Sequence, residues 1–136
     1  MTLSHQEAAL LNPLQLAFIG DAVYALRIRL KAIGSGQGMR AVHRLTTAYV
    51  CAASQAKALA AIMDGLTEQE LDQVKRGRNA HAHHPAPRSA TSAEYAASTG
   101  FETLIGYLYL TGQSERIDEL IARVETLMNA QESDHA

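Results

Sequence analysis

Two acids sit where acids are rare. Asp21 lies inside Leu14–Leu30, the most apolar segment of the 136-residue chain, directly after Gly20; Glu102 is the single acid of Gly100–Leu110, "GFETLIGYLYL". Burying a carboxylate is unfavourable unless it is hydrogen-bonded, ion-paired or metal-bound. If both segments are central helices packed on one another, the two carboxylates converge on one cation. With no cysteine or histidine beside either acid, such a donor pair suits a hard ion such as Mg²⁺ better than zinc. An ion pair between Asp21 and an arginine would answer the same burial problem, and the pattern alone leaves both readings open.

A second constellation is basic. Gln73–Ala93 contains no acid but holds Lys75, Arg76, Arg78 and Arg88 together with His81, His83 and His84. From Glu115 onward there are six acids against Arg116 and Arg123, so a net charge of −2 hides a basic middle and an acidic tail. That distribution fits a localised anionic partner, or an ordinary solvated loop. The three histidines resemble a metal site only superficially. They lie in a proline-containing loop, lack a cysteine, and are not spaced i, i+4 as a helical zinc pair is.

The elements that must position these residues read as helices throughout. Asn12-Pro13 caps and starts a helix reaching about Ile33, and Gly34–Gly38 ends it. An alanine-rich helix from about Met39 to Met63, with a possible break, is expected to enclose Cys51 as an inert thiol. Thr67–Glu70 and Thr91–Glu94 are capping-box patterns that open helices toward Asn79 and Leu110, separated by a loop over 80–90. Ser114 caps a last helix with one apolar face, and residues 130–136 read as a frayed tail. Leu16, Phe18, Ile19, Val23, Leu26 and Ile28 cover most of the helix around Asp21, which predicts a central helix with Asp21 at least partly buried. The five tyrosines read as core rather than as base-stacking platforms.

Composition bounds the rest. With 47% apolar and 19% charged residues, 1–136 reads as one domain with a real core, spanning about 11–129. No apolar run would cross a bilayer, and the N-terminus has no signal-peptide pattern. A single cysteine excludes an internal disulfide and fits a reducing, cytoplasmic setting.

"IGDAVY" (Ile19–Tyr24), "KRGRNA" (Lys75–Ala80) and "STGFETLIGYLYL" (Ser98–Leu110), in this order and spacing, resemble Mini-ribonuclease III, the small bacterial class of the ribonuclease III fold without a double-stranded-RNA-binding domain. The resemblance covers the chain from about Leu11 to the last helix. It implies an all-α, ribonuclease III-type endonuclease domain that forms a homodimer with a double-stranded RNA groove across it. It also implies Mg²⁺-dependent phosphodiester hydrolysis leaving 5′-phosphate ends, with Asp21 and Glu102 as catalytic and metal-binding acids. Full-length ribonuclease III carries two further acids in these helices; Ala17 and Thr99 stand there in this chain, as in the Mini class. Lys75, Arg76 and Arg78 become the expected phosphate ligands, with Asn79 adding a sugar or phosphate hydrogen bond. The family suggests maturation of the large-subunit (23S) ribosomal RNA precursor, alone or with a ribosomal protein. Two alternatives are a catalytically silent module that binds RNA or ribosomes, and a plain dimerisation domain. Retention of both acids favours the enzyme.

Overall fold

The structure, a computed structural model, describes residues 1–81 and 91–134. Among these are seven α-helices, one 3₁₀ turn and no strand: α1 (His5–Leu10), α2 (Pro13–Gly34), α3 (Met39–Val50), α4 (Ala52–Ile62), the turn Met63–Gly65, α5 (Glu68–His81), α6 (Ser92–Leu110) and α7 (Ser114–Asp134). The all-helical reading holds, as do the capped starts of α2 and α6, where Asn12 with Gln15 and Thr91 with Glu94 bond reciprocally. The break in the alanine-rich segment falls at Cys51, whose extended backbone separates α3 from α4. The thiol is therefore exposed at a helix junction, donating to Ser54 Oγ at 3.2 Å, not enclosed within a helix. α1 was not anticipated; Ser4 and Glu7 form its capping box. At the other end the helical backbone runs on to Asp134, through most of the segment that reads as a frayed tail.

α6 is the axis of the fold. It packs against α2, α4, α5 and α7, and is buried from Ala97 to Phe101 and again from Thr103 to Leu108. A helix apolar nearly all round belongs in the centre. The matching expectation for α2 fails. α2 buries one stripe, Leu16, Gly20, Tyr24, Ile28 and Ala32, each four residues from the last. Four of its large apolar residues face out: Phe18, Leu26, Leu30 and Ile33 are 78%, 58%, 59% and 63% exposed. Asp21 is likewise exposed rather than buried. α2 is thus an outer helix with two apolar faces, one on α6 and one uncovered, and Asp21 lies on neither.

The acidic tail is partly neutralised within the molecule. Arg27 pairs with Asp118 at 2.8 Å and Lys31 with Glu125, fastening α7 to α2. Arg116 grips the buried Glu70 with two bonds of 2.9 Å and reaches the Gly65 carbonyl at 2.8 Å.

Candidate active site

The site begins at two glycines. A Cβ on Gly20 would lie 1.8 Å from the Glu102 carbonyl oxygen and 2.8 Å from the Gly106 nitrogen; one on Gly106 would lie 1.8 Å from the Leu16 carbonyl oxygen. Only residues without a side chain allow α2 and α6 to touch backbone to backbone here. Gly20 is therefore a packing requirement, and the residue after it is carried to the helix that bears Glu102. The Thr103 hydroxyl reinforces the crossing, donating to the Pro13 carbonyl at 3.2 Å and the Thr99 carbonyl at 2.8 Å.

At this crossing the Asp21 and Glu102 side chains meet within hydrogen-bonding reach. Asp21 stands at the surface, whereas Glu102 is half-buried. Burial pushes the Glu102 carboxyl up to about 9, and the hydrogen bond and charge of Asp21 add to the effect; a bond from Gln55 works the other way. Near neutral pH, without a cation, Glu102 therefore keeps its proton, with Asp21 placed to accept a hydrogen bond from it. A carboxylate pair that retains a proton to relieve its own repulsion is a fitting seat for a divalent cation, which would replace the proton. Among the described residues no cluster of three or more acids, histidines and cysteines exists. Among the described residues Asp21 and Glu102 thus offer an oxygen-donor pair, a set that suits a hard ion whose remaining positions are filled by water and phosphate. Ala17 and Thr99 are buried beside the acids, the Thr99 hydroxyl being spent on the Tyr95 carbonyl at 3.0 Å, so neither adds a ligand.

One participant escaped the sequence reading. Gln55, 1% exposed on α4, accepts a hydrogen bond from Ser98 Oγ and bonds Glu102. Its signal was a single amide side chain in the alanine-rich "AASQAKALAAI".

The basic residues divide. A second glycine contact, Gly77 on Gly100, draws α5 against α6: a Cβ on Gly77 would lie 2.8 Å from Gly100 Cα, and one on Gly100 3.1 Å from Arg78 Cγ. Arg78 thus lays its stem along α6, and Lys75, Arg78 and Asn79 are exposed. Arg76 differs: its guanidinium donates to Gln73 Oε1 at 2.8 Å and to the Leu11 carbonyl, bracing α5 against the segment that enters α2. Tyr24 and Tyr107 are core residues as expected; Tyr109 is 46% exposed. The His83–His84 loop lies outside the described residues, as does the side chain of His81.

Residues 14–113 match the ribonuclease III domain family. The chain is 52% identical over 112 residues to a Mini-ribonuclease 3 of Symbiobacterium thermophilum, covering 82% of this chain and 85% of that protein. It is 46% identical over 114 residues to a Mini-ribonuclease 3 of Enterococcus faecalis, covering 82% and 86%. A crystal structure of a protein from Fusobacterium nucleatum shares the fold with a TM-score of 0.77 and 33% identity, covering 83% of this chain and 91% of that one.

Proposed function

Because this chain belongs to the ribonuclease III family as a Mini-ribonuclease 3-type endoribonuclease, we propose that it cleaves double-stranded RNA using Mg²⁺ held by Asp21 and Glu102. The observation that carries this reading is the meeting of those two carboxylates at the Gly20–Gly106 crossing. Mg²⁺ bound there supplies Lewis-acid chemistry, activating water and neutralising charge on the phosphoryl oxygens.

The chain's own residues do the rest. Exposed Asp21 faces the substrate side, and half-buried Glu102, in its ionised form, would hold the cation from the side of α6. A water oxygen bonds to phosphorus while the bond to the 3′ oxygen breaks. The attacking water loses one proton and the leaving oxygen gains one, so the products are a 3′-hydroxyl and a 5′-phosphate. Lys75 and Arg78 bind backbone phosphates, with Asn79 adding a sugar or phosphate hydrogen bond. A-form duplexes are recognised largely through backbone and 2′-hydroxyls, so charge without a base-reading motif is sufficient. Arg76 contributes by fixing the helix that carries them.

The uncovered face of α2 (Phe18, Leu26, Leu30 and Ile33, continued by Tyr109 of α6) is the surface on which a second copy docks. Two such chains place two sites on one duplex and cut both strands. Among the described residues no helix is long and apolar enough to cross a membrane. The substrate we favour is the large-subunit 23S ribosomal RNA precursor, processed in the cytoplasm.

The test is direct. Purified protein is incubated with duplex RNA, with and without Mg²⁺, and new ends are mapped. Mg²⁺-dependent 5′-phosphate ends are expected on duplex and not on single-stranded RNA. Duplex RNA bound but left intact at every Mg²⁺ concentration would overturn the proposal in favour of a silent binding module.

A further inference from the structure

Gln55 is a buried polar side chain, 1% exposed, that the proposed reaction leaves unused. It lies on α4, a helix whose other buried residues are Ala58, Leu59 and Ile62. Burying a primary amide in such company is unfavourable unless both ends are satisfied. Both are. Ser98 Oγ donates to Gln55 Oε1, which turns the amide nitrogen away from Ser98. Ser98 and Glu102 are one turn apart on α6 and so share a face. The nitrogen therefore points along that face to Glu102, which lies within hydrogen-bonding reach of Gln55. Among described side chains that are not exposed, the Tyr24 hydroxyl alone is a fully buried polar atom lacking a partner, which leaves no orphan on Gln55.

We propose that Gln55 is a positioning residue: its amide, locked in orientation by Ser98, holds one side of the Glu102 carboxylate so that the other side faces Asp21 and the cation. This rests on the reading of Asp21 and Glu102 as the metal-holding pair. Three helices then meet in one hydrogen-bonded chain, α4 through Gln55, α6 through Ser98 and Glu102, and α2 through Asp21.

The residue type is informative. A lysine or arginine here would neutralise Glu102 and compete with the cation for it. Another carboxylate would add charge to a pair already holding a proton. An aliphatic residue of the same size would leave a carboxylate oxygen buried without a donor. A neutral donor avoids all three: it favours the ionised form of Glu102, opposing burial, and leaves its charge available. Groups that orient a metal ligand in this way commonly change affinity or activity by about 10–100-fold when removed.

The experiment compares full-length wild type, Gln55→Leu and Ser98→Ala, using Mn²⁺ alone as the probe. Binding is followed by electron paramagnetic resonance in the absence of RNA. Duplex binding in EDTA and the melting transition are measured alongside. Gln55→Leu is expected to weaken Mn²⁺ binding by about 10-fold or more, with duplex binding in EDTA unchanged. In cleavage assays the Mg²⁺ concentration for half-maximal rate should rise in parallel. Ser98→Ala, which frees the amide to rotate, should move both in the same direction by less. Should Gln55→Leu fail to fold, Ser98→Ala decides. Wild-type Mn²⁺ affinity in the folded variants would overturn the positioning role and leave the active-site reading standing. Absence of Mn²⁺ binding and of cleavage in wild type itself would instead remove that reading, and this inference with it.

Discussion

Gly20 and Glu102 touch through their backbones: a Cβ on the first would fall 1.8 Å from the carbonyl oxygen of the second. That contact sets how far Asp21 stands from the Glu102 side chain. Gly20→Ala should therefore damage stability and chemistry together. Alanine favours the helix by about 1 kcal/mol, but the clash is with main chain, which cannot rotate away, so α2 must move. We expect a net loss of about 1–3 kcal/mol in urea denaturation. Cleavage should fall by about 100-fold, the usual scale for displacing a catalytic group by an ångström. A variant as active as wild type would show that the helices need not touch.

Asp21→Asn and Glu102→Gln should each lose cleavage by orders of magnitude while still binding duplex RNA and dimerising. In EDTA neither should melt below wild type, because each replaces one of two facing acids that, without a cation, avoid mutual repulsion only by retaining a proton. Loss of a structural ion pair would instead cost about 3–5 kcal/mol. A large drop in melting temperature for both variants would identify such a pair and refute the metal-site assignment.

Glu102 also predicts a pH dependence. Its carboxyl is raised from an ordinary value of 4.5 to about 9 in the folded protein. Between those values the folded state keeps a proton that the unfolded chain has released. The contribution to stability is full below 4.5 and declines as pH rises through the window toward 9. Denaturation in EDTA across this range should show wild type losing stability relative to Glu102→Gln. Divalent-cation binding should strengthen over the same interval, since it must displace the proton. A pH-independent difference between the two proteins would place the Glu102 carboxyl at an ordinary value.

The basic residues of α5 should separate into two behaviours. Lys75→Ala and Arg78→Ala should leave the melting temperature unchanged. Each should weaken duplex binding and flatten its dependence on log salt concentration by about 0.7–0.9 for every phosphate no longer neutralised. Arg76→Ala should instead lower stability by about 1–3 kcal/mol, because its bonds to Leu11 and Gln73 are gone. Equal salt slopes in all three variants and wild type would remove this helix from the RNA interface.

Leu26→Glu combined with Leu30→Glu places charges in the uncovered face of α2 without touching its buried stripe. Sedimentation at micromolar concentration should show dimer for wild type and monomer for the double variant. A monomeric wild type would leave that face without its proposed occupant.

How much of this was written in the sequence depended on whether the signal was local. The capping boxes at Thr91 and Asn12 are complete within four residues, and the helices start where they say. Asp21 and Glu102 stood out because an acid contradicts its apolar neighbours. Which side of α2 each residue occupies was not legible. Apolarity around a helix does not distinguish a face packed on the same chain from one awaiting another, so Asp21 read as buried although it is exposed. The role of Gly20 was not legible, because it depends on Gly106, 86 residues away. Arg76 looked like its neighbours Lys75 and Arg78 because the carbonyl that claims it belongs to Leu11, 65 residues earlier. Gln55 was missed for the same reason: its partners lie on another helix.

The order of the helices also has a consequence in time. Asp21 leaves the ribosome 81 residues ahead of Glu102, an interval of about 4–16 s at synthesis rates of roughly 5–20 residues per second. α6, the helix that packs most extensively on α2, is completed only after that. Throughout that interval α2 displays both of its apolar faces, the one destined for α6 and the one that stays uncovered in the finished chain. The nascent protein is at its stickiest just when the first of the two proposed metal-holding acids exists and the second does not. α2 is accordingly the segment that a chaperone would hold, and no cleavage of RNA by the emerging chain can begin until α6 has joined it.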